Sequence, residues 1–188
     1  MFPVYYTPLS SNAVDEAVPL EIKLSARVQR IKPSPTLAVT ALANELKAQG
    51  KDIIGLGAGE PDFDTPDHIK EAAIQAIRDG FTKYTAVDGT PGLKQAIITK
   101  FLRDNRLDYG PDQVLVSCGG KQSFYNLAQA LLDSGDEVLI PAPYWVSYPD
   151  MVLLADGKPV IMDTGIDQQF KITPEQLEAS LNHNTRLL

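Results

Sequence analysis

Residues 114–145 read VLVSCGGKQSFYNLAQALLDSGDEVLIPAPYW, and this stretch decides the fold class. Two short apolar runs, Val114 to Val116 and Val138 to Ile140, lie on either side of a helical pattern that begins after Gly119-Gly120. Apolar strands without polar alternation, separated by helices, are typical of a parallel sheet with both faces covered. The stretch therefore predicts an α/β fold with a mostly parallel sheet.

The same alternation of helix and strand continues after this stretch. The helix between the two runs has an apolar face at helical spacing, formed by Phe124, Leu127, Ala128 and Leu131. Downstream, the pattern predicts a helix over 147–155, a third strand over 160–162 and a helix that begins at the capping box of Thr173 and Gln176. The last residues, 186–188, resemble a strand that is just beginning, so the sequence looks cut at this point.

Three further helices are predicted before residue 114. They cover residues 36–49, the segment between Thr65-Pro66 and Gly80, and the segment that begins at Thr90-Pro91. Thr65 is a good N-cap, and Pro66 fits the first helical position. Residues 1–22 contain several prolines and no periodic pattern, so we expect a flexible lead-in there.

The composition indicates an ordered globular protein. The chain has 188 residues, of which 44% are hydrophobic and 22% charged, and its formal net charge is −7. An acidic chain without a basic cluster is poorly suited to nucleic acids or anionic membranes, because both require grouped Lys and Arg. No apolar run approaches the ~20 residues that span a bilayer, and the first positive side chain is Lys23, which fits neither a secretory nor a transit signal. We therefore expect a cytoplasmic protein without nucleic-acid or membrane partners.

The residues that bind metals or form disulfides are few. Cys118 is the only cysteine, so no disulfide can form within the chain, and we interpret it as a small buried residue. His68 and His183 are the only histidines, so a zinc site would need unusual ligands. No metal site is predicted, and His68 is interpreted as a surface residue.

Two glycine segments resemble nucleotide-binding motifs but fail in detail. Gly55 to Glu60 has Glu60 where the third glycine of a dinucleotide fingerprint belongs. Gly120-Lys121 lacks the rest of a nucleotide P-loop, because Leu115 and Gln122 occupy the positions of its first glycine and its Ser or Thr. Neither segment therefore predicts a nucleotide site.

The turn at Gly119-Gly120 is a candidate anion site. Free N–H groups and the helix dipole favour an anion at the start of a helix, and glycine lets a phosphate approach the backbone closely. In an open α/β sheet, ligands bind at the carboxyl ends of the strands, where this turn is predicted to lie. The alternative interpretation is an ordinary strand-to-helix turn.

The second apolar run leads into Trp145, the only tryptophan. The predicted sheet places it at the same edge as the glycine turn, where a planar phosphorylated ring would be able to stack on the indole. A core or interface anchor is the alternative interpretation.

Six segments together resemble the class I aminotransferases of pyridoxal-phosphate fold type I, especially their bacterial aspartate aminotransferase branch. The segments occur in the family's order and spacing, and the resemblance covers about residues 23–188. The segments are LSARV at 24–28, KPS at 32–34, AGEPDFDTP at 58–66, TKY at 82–84, GGKQ at 119–122 and PAPYWVSYP at 141–149. Together they are highly specific.

The resemblance implies roles in cofactor binding for five residues. Gly119, Gly120 and Lys121 match the turn that holds the phosphate of pyridoxal 5′-phosphate. Trp145 matches the aromatic side chain that stacks on the cofactor ring. Tyr84 matches the tyrosine whose hydroxyl reaches the phosphate of the neighbouring subunit in a homodimer.

Substrate contacts are also implied by the resemblance. Gly59 matches the loop glycine whose backbone meets the substrate α-carboxylate, and Trp145 borders the same space. Lys32 lies in an N-terminal segment that borders the active site in this branch. The Lys121 side chain is implied to attract the distal carboxylate of an acidic substrate.

The residues that carry out the family's chemistry lie beyond the position of Leu188. The family requires a lysine that forms a Schiff base with the cofactor, an Asp at the pyridinium nitrogen and an Arg that holds the α-carboxylate. None of the lysines present matches that position. We therefore predict no catalytic residue in this chain and no activity of the chain alone.

The resemblance also implies the domain organisation and the reaction. Residues 67–188 would form the first, incomplete half of a three-layer α/β/α large domain, after an N-terminal arm and small-domain segment at 23–66. The parent enzyme would transfer an amino group between an amino acid and a 2-oxo acid, with aspartate and 2-oxoglutarate favoured. Prephenate, alanine or aromatic aminotransferases are alternatives within the family. A truncated, non-catalytic module that binds a phosphorylated ligand is the alternative outside it.

Overall fold

The computed structural model describes residues 4–5, 19–20, 22–57 and 59–188 of the chain. The helices are α1 (Ala26–Gln29), α2 (Pro35–Ala48), α3 (Asp67–Arg78), α4 (Pro91–Lys100), α5 (Gly120–Leu131), α6 (Ser147–Leu154) and α7 (Pro174–Ser180). The strands are β1 (Val4–Tyr5), β2 (Pro19–Leu20), β3 (Glu137–Ala142), β4 (Lys158–Asp163) and β5 (Thr185–Leu187).

Three of the strands form a parallel sheet in the order β4-β3-β5. Strand β3 pairs with β4 from Glu137↔Lys158 to Ala142↔Asp163 without a register shift. The connection between these two strands is α6, as a parallel pair requires a crossover rather than a hairpin. The prediction of an α/β fold with a parallel sheet is confirmed.

The core lies between this sheet and helices α5 and α6. Its central residues are Ala128, Leu132, Val138, Ile140, Val152 and Ala155. Val138, Leu139 and Val152 are the largest fully buried side chains. Burying a Val or Leu side chain contributes about 1.5–3 kcal/mol, so these few residues account for much of the stability of the described unit.

A buried carboxylate fixes the amino-terminal edge of the sheet. Glu137 is 7% exposed, and its carboxylate accepts hydrogen bonds from Lys158 Nζ at 2.8 Å and from Asn182 Nδ2 at 2.8 Å. These hydrogen bonds, first that from Lys158 and then that from Asn182, hold the pKa of the Glu137 carboxyl below its ordinary value. One side chain therefore ties β3 to β4 and to the turn before β5.

The predicted buried strand over 114–116 is wrong. These residues are extended, but no strand of the described residues pairs with them, and Leu115 is 64% exposed. Apart from the N–H of Val116, which donates to the carbonyl of Asp88 at 3.0 Å, the segment lacks the ladder that defines a strand. The apolar side chains of residues 114–116 line an open cavity of about 840 Å³ instead of packing in a sheet.

Two local predictions about helices also need correction. The N-cap of α3 is Pro66 rather than Thr65, and no side chain caps this end. On α5, Ala128 is buried, whereas Leu127 is 46% and Leu131 is 51% exposed. The apolar face of α5 is therefore wider than the surface that packs against it.

The remaining predictions have mixed outcomes. The capping box of Thr173 and Gln176 at the start of α7 is confirmed, and His68 is exposed as expected. Cys118 is exposed rather than buried, because it lies on the turn that precedes α5 and not within a strand. Within the predicted lead-in, β1 and β2 pair antiparallel, while residues 1–3, 6–18 and 21 lie outside the described residues.

Candidate functional site

The turn before α5 offers unpaired backbone donors to an anion. Gly119 caps the helix with φ 90° and ψ 166°, a conformation that is essentially restricted to glycine. The N–H of Ser123 donates to the carbonyl of Gly119, which leaves the N–H groups of the three preceding residues without intrahelical acceptors. No acidic residue lies in the first turn of the helix, so the positive end of the helix dipole is not neutralised there.

The backbone at this turn is also open to an approaching group. A Cβ atom added at Gly119 or Gly120 would meet no atom within 4 Å. Gly119 is thus required for its backbone angles, and the space in front of both glycines is free. This arrangement suits a phosphate, which needs several N–H donors at close range.

Lys121 and Trp145 come together beside the turn. The ammonium nitrogen of Lys121 lies 4.9 Å from the centroid of the Trp145 ring, a cation–π distance. Trp145 follows the carboxyl end of β3 after a cis peptide bond between Ala142 and Pro143. The side chain that follows the glycine turn therefore reaches the indole and places a positive charge over its face.

A row of aromatic rings supports Trp145. Its ring packs edge-on against Tyr148, with centroids 5.4 Å apart and an angle of 89° between the rings. Tyr148 packs in turn against Phe124 of α5 at 5.1 Å and 71°. Phe124 lies one turn after Gly120, so the row fixes the indole relative to the start of α5.

Sequence reasoning missed the supporting role of Tyr148 and Phe124. The sequence carries a signal for each residue, since Phe124 lies on the apolar face of the predicted helix and Tyr148 follows Trp145 by three residues. That spacing places the two rings on one side of a helical turn, and the N–H of Tyr148 does donate to the carbonyl of Trp145 at 3.0 Å. The contact between Tyr148 and Phe124 has no signal in a single sequence.

An apolar cavity of about 410 Å³ adjoins Trp145. Its volume lies in the usual range of small-molecule sites, about 300–1,000 Å³. It is lined by the aromatic row and by residues of β3, and it ends at Leu188. Gly119, Gly120 and Lys121 do not line it, so the glycine turn is not part of this cavity.

Tyr84 lies on a loop that is fastened to α4. Its side chain is fully exposed. Four residues later, the Asp88 carboxylate accepts a hydrogen bond from the buried Lys94 ammonium group, which lowers the pKa of Asp88. The chain past Tyr84 is thereby held, while the phenol itself extends into solvent.

Gly59 and Lys32 are also exposed. The loop that carries Gly59 packs on α2, since a Cβ at Gly57 would lie 3.2 Å from Cγ1 of Val39. Lys32 lies between α1 and α2. Of the predicted site residues, the structure thus brings together Gly119, Gly120, Lys121 and Trp145, and it leaves Tyr84, Gly59 and Lys32 facing solvent.

Two other kinds of site are not found in the described ranges. No three His, Cys, Asp or Glu side chains in that part of the chain lie close enough together to hold a metal ion. None of the helices described there combines the length and the apolar character needed to cross a membrane.

The fold is an α/β arrangement with a three-stranded parallel sheet, and its candidate site combines an open glycine turn with Lys121 and Trp145. The family model of class I and II aminotransferases matches residues 51–188. The chain is 70% identical over 166 residues to the aspartate/prephenate aminotransferase of Nitrosomonas europaea, covering 88% of this chain and 42% of that protein. It is 54% identical over 163 residues to the aspartate aminotransferase of a Bacillus species, covering 87% and 42%.

Solved structures agree with these similarities. The aspartate aminotransferase of Rhizobium meliloti matches with a TM-score of 0.84 and 48% identity, over 89% of this chain and 42% of that one. The Thermus thermophilus aspartate aminotransferase with maleate matches with a TM-score of 0.85 and 48% identity, over 89% and 44%. The chain belongs to the class I and II aminotransferase family, and it spans a little over two fifths of the length of these relatives.

Proposed function

We propose that this chain supplies the phosphate- and ring-binding part of a pyridoxal-phosphate-dependent aminotransferase. The observation that carries the proposal is that Lys121 directly follows the open glycine turn and reaches Trp145. The Lys121 ammonium nitrogen lies 4.9 Å from the centroid of the Trp145 ring. A phosphate dianion attached to a flat aromatic ring has the two chemical features that these groups recognise.

The residues present fit this cofactor. The Gly119 backbone angles and the open space before Gly120 leave room for a phosphate against the backbone. The indole of Trp145 is 43% exposed, so one part of it is free to contact a ring. When bound, the cofactor supplies an electron-accepting ring system that stabilises negative charge on the substrate.

Each group of the chain has its own task in this proposal. The first-turn N–H groups from Gly120 onward bind the phosphate, and Trp145 orients the ring. Lys121 attracts the distal carboxylate of an acidic substrate, Gly59 meets the α-carboxylate through its backbone, and Lys32 borders the same space. Tyr84, which is exposed in this chain, reaches the phosphate of the second subunit in a homodimer.

Aspartate is the proposed amino donor. The relatives of Nitrosomonas europaea and Cereibacter sphaeroides are named aspartate/prephenate aminotransferases, which supports prephenate beside 2-oxoglutarate as an acceptor. Both acceptors pair a 2-oxo acid with a second carboxylate, the group that the Lys121 ammonium would recognise.

The domain organisation and the site of action complete the proposal. Residues 67–188 form the first half of the large domain, residues 23–66 an arm and small-domain segment, and the enzyme acts in the cytoplasm on small molecules. None of the chain's lysines matches the family's catalytic lysine, so we propose that residues 1–188 alone do not transaminate.

A coupled assay tests this function. The protein that contains this chain together with the family's catalytic lysine should transaminate aspartate with 2-oxoglutarate or prephenate at ordinary enzyme rates, ~1–1,000 per second. Residues 1–188 alone should show no turnover with excess cofactor. Absence of turnover in the longer protein with either acceptor would refute the proposed reaction, and turnover by residues 1–188 would refute the proposed place of the lysine.

A pair of glycine variants checks the cofactor site in the same protein. Alanine does not readily adopt the backbone angles of Gly119, so Gly119→Ala should shift the N–H groups that would bind the phosphate. Cofactor binding should weaken about 10-fold or more, since hydrogen bonds to a charged group contribute about 1.5–3 kcal/mol. The matched control is Gly80→Ala at the end of α3, where φ is also positive (77°) and the space for a Cβ is also open. Equal effects of the two variants on cofactor affinity would show that Gly119 has only a structural role.

A further inference from the structure

A rigid turn presents one carboxylate to the N-terminal segment. Asp156 lies between α6 and β4 with φ 62°, and its N–H donates to the carbonyl of Leu153 at 3.2 Å. The neighbours on both sides are fixed, since Ala155 is 5% exposed and a Cβ at Gly157 would lie 3.0 Å from Leu132. The backbone position of Asp156 is therefore set by the core.

Arg27 of α1 and Arg30, the C-cap residue of this helix, meet this carboxylate. Arg30 Nη1 lies 2.8 Å from Asp156 Oδ1, and Arg27 Nη1 lies 3.9 Å from Asp156 Oδ2. The spacing of three residues places both arginines on one side of the short helix.

Within the described part of the chain, α1 is a short helix with little buried surface. The helix has four residues, none of them buried, and Val28 is 42% exposed. A single helical turn is unstable alone, because nucleation costs more than one hydrogen bond returns. The ion pairs with Asp156 therefore add to the packing of α1 on α6 and attach it to the unit formed by the β4-β3-β5 sheet with α5 and α6, here called the sheet unit.

We propose that Asp156 is a positioning residue that docks α1 on the sheet unit and thereby places Lys32, two residues after Arg30. The docking follows from the ion pairs alone. The consequence for an acidic substrate rests on the proposed function, in which Lys32 borders the substrate space.

The exposure of these groups determines how the docking behaves. The Arg27, Arg30 and Asp156 side chains are 53%, 43% and 37% exposed. Exposed ion pairs are weak and are screened by salt, with a Debye length of about 3 Å at 1 M. The segment is therefore held reversibly, and the attachment loosens at high ionic strength.

Trypsin reports on this attachment directly, because the protease must take a free arginine side chain into its pocket. In residues 1–188, initial cleavage after Arg30 is measured by mass spectrometry relative to cleavage after Lys23, an upstream site in the same segment. Asp156→Asn removes the charge but keeps a residue that tolerates positive φ. The matched control is Asp163→Asn, the same change at an exposed residue of β4 for which no ion pair occurs in the described part of the chain.

The ratio of the two cleavage rates should rise about 2- to 5-fold in Asp156→Asn, as expected for the loss of exposed ion pairs. It should stay unchanged in Asp163→Asn. Salt at 1 M should raise the ratio in the unmodified chain but not in Asp156→Asn. An Asp156→Asn ratio equal to that of the control overturns the docking, whatever the enzymatic outcome.

The link to substrate is tested in the transaminating protein. Asp156→Asn should raise KM for aspartate about 2- to 5-fold with little change in kcat, because loss of binding that is equal in ground and transition state affects KM. A raised cleavage ratio with an unchanged KM overturns the placement of Lys32 and leaves the docking intact. If the protein does not transaminate at all, the proposed function fails, and the cleavage experiment still decides the docking.

Discussion

At the scale of single residues, Trp145 is the point where the site and the core meet. Its ring is held edge-on by Tyr148 and faces the Lys121 ammonium at 4.9 Å. A side chain that served only as a core anchor would be buried, but the indole is 43% exposed. Its environment is therefore that of a supported aromatic surface with one part available to a ligand.

Replacement of Trp145 should affect catalysis more than cofactor binding in the transaminating protein. Trp145→Ala removes a flat contact worth ~0.5–1.5 kcal/mol beyond its buried area, so the loss of stacking alone should lower cofactor affinity about 2- to 13-fold. The turnover rate should fall further, since misplacement of a reacting group by about 1 Å can cost ~100-fold. Cofactor absorbance titrations and steady-state rates measure the two effects separately.

Trp145→Phe is the matched control, because a smaller ring still stacks and should give a milder loss of both quantities. If Trp145→Ala and Trp145→Phe both leave affinity and rate unchanged, the residue is a structural anchor and its place in the site is wrong.

At the scale of secondary-structure elements, the predictable parts are those that local sequence determines. Strand β3 and the start of α7 were predicted because an apolar run and a capping box need no distant information. The segment 114–116 was wrongly predicted as a strand. Its apolar residues match a strand equally well, but a strand also requires a partner. Pairing is a property of the whole fold and is not contained in the run itself.

In the candidate site, too, the features set by local sequence were predictable and those set by distant contacts were not. The place of Trp145 after the carboxyl end of β3 was predictable, because the apolar run at 138–140 leads directly into it, whereas the strand that was to bring Gly119 to the same edge is absent from the described sheet. The aromatic row through Tyr148 to Phe124 was not, because it depends on side-chain packing between α5 and α6.

Glu137 makes the stability of the sheet dependent on pH. The pKa of its carboxyl is lowered in the folded chain by the hydrogen bonds from Lys158 and Asn182. A depressed pKa means that the carboxylate stabilises the fold above the unfolded pKa, about 4.3, and that this stability is lost as the pH falls through the folded value. Stability should therefore decline below about pH 5.

Glu137→Gln should lower the urea midpoint at pH 7 and bring the variant and the unmodified chain together as the pH is lowered toward 3. The fluorescence of Trp145, the only tryptophan, reports unfolding at concentrations low enough that light scattering stays at baseline. The control is Glu178→Gln, an exposed residue of α7. A constant difference between Glu137→Gln and the unmodified chain from pH 7 to 3 would show that the carboxylate charge is not the cause.

At the scale of the whole molecule, many large apolar side chains of the described residues are exposed. Ile54, Leu56 and Phe63 are 84%, 90% and 86% exposed, and the cavity beside 114–117 measures about 840 Å³. Contiguous exposed apolar patches beyond a few hundred Å² are rare on monomeric proteins and mark association sites. The net charge of −7 opposes association only at low ionic strength, because salt screens it.

Purified residues 1–188 should therefore self-associate as concentration and salt rise. Size-exclusion chromatography with light scattering should show masses above the monomer at about 100 μM in 0.5 M salt, where the Debye length is about 4 Å, and a smaller mean mass after dilution or in mild detergent. Ile54→Gln with Leu56→Gln should reduce association without loss of structure, since neither exposed side chain contributes to the core. The matched control is Lys51→Gln with Asp52→Asn, which alters the same segment at constant net charge and constant apolar area. A monomer with a sharp, cooperative melt under all these conditions would show that the exposed apolar side chains do not drive association.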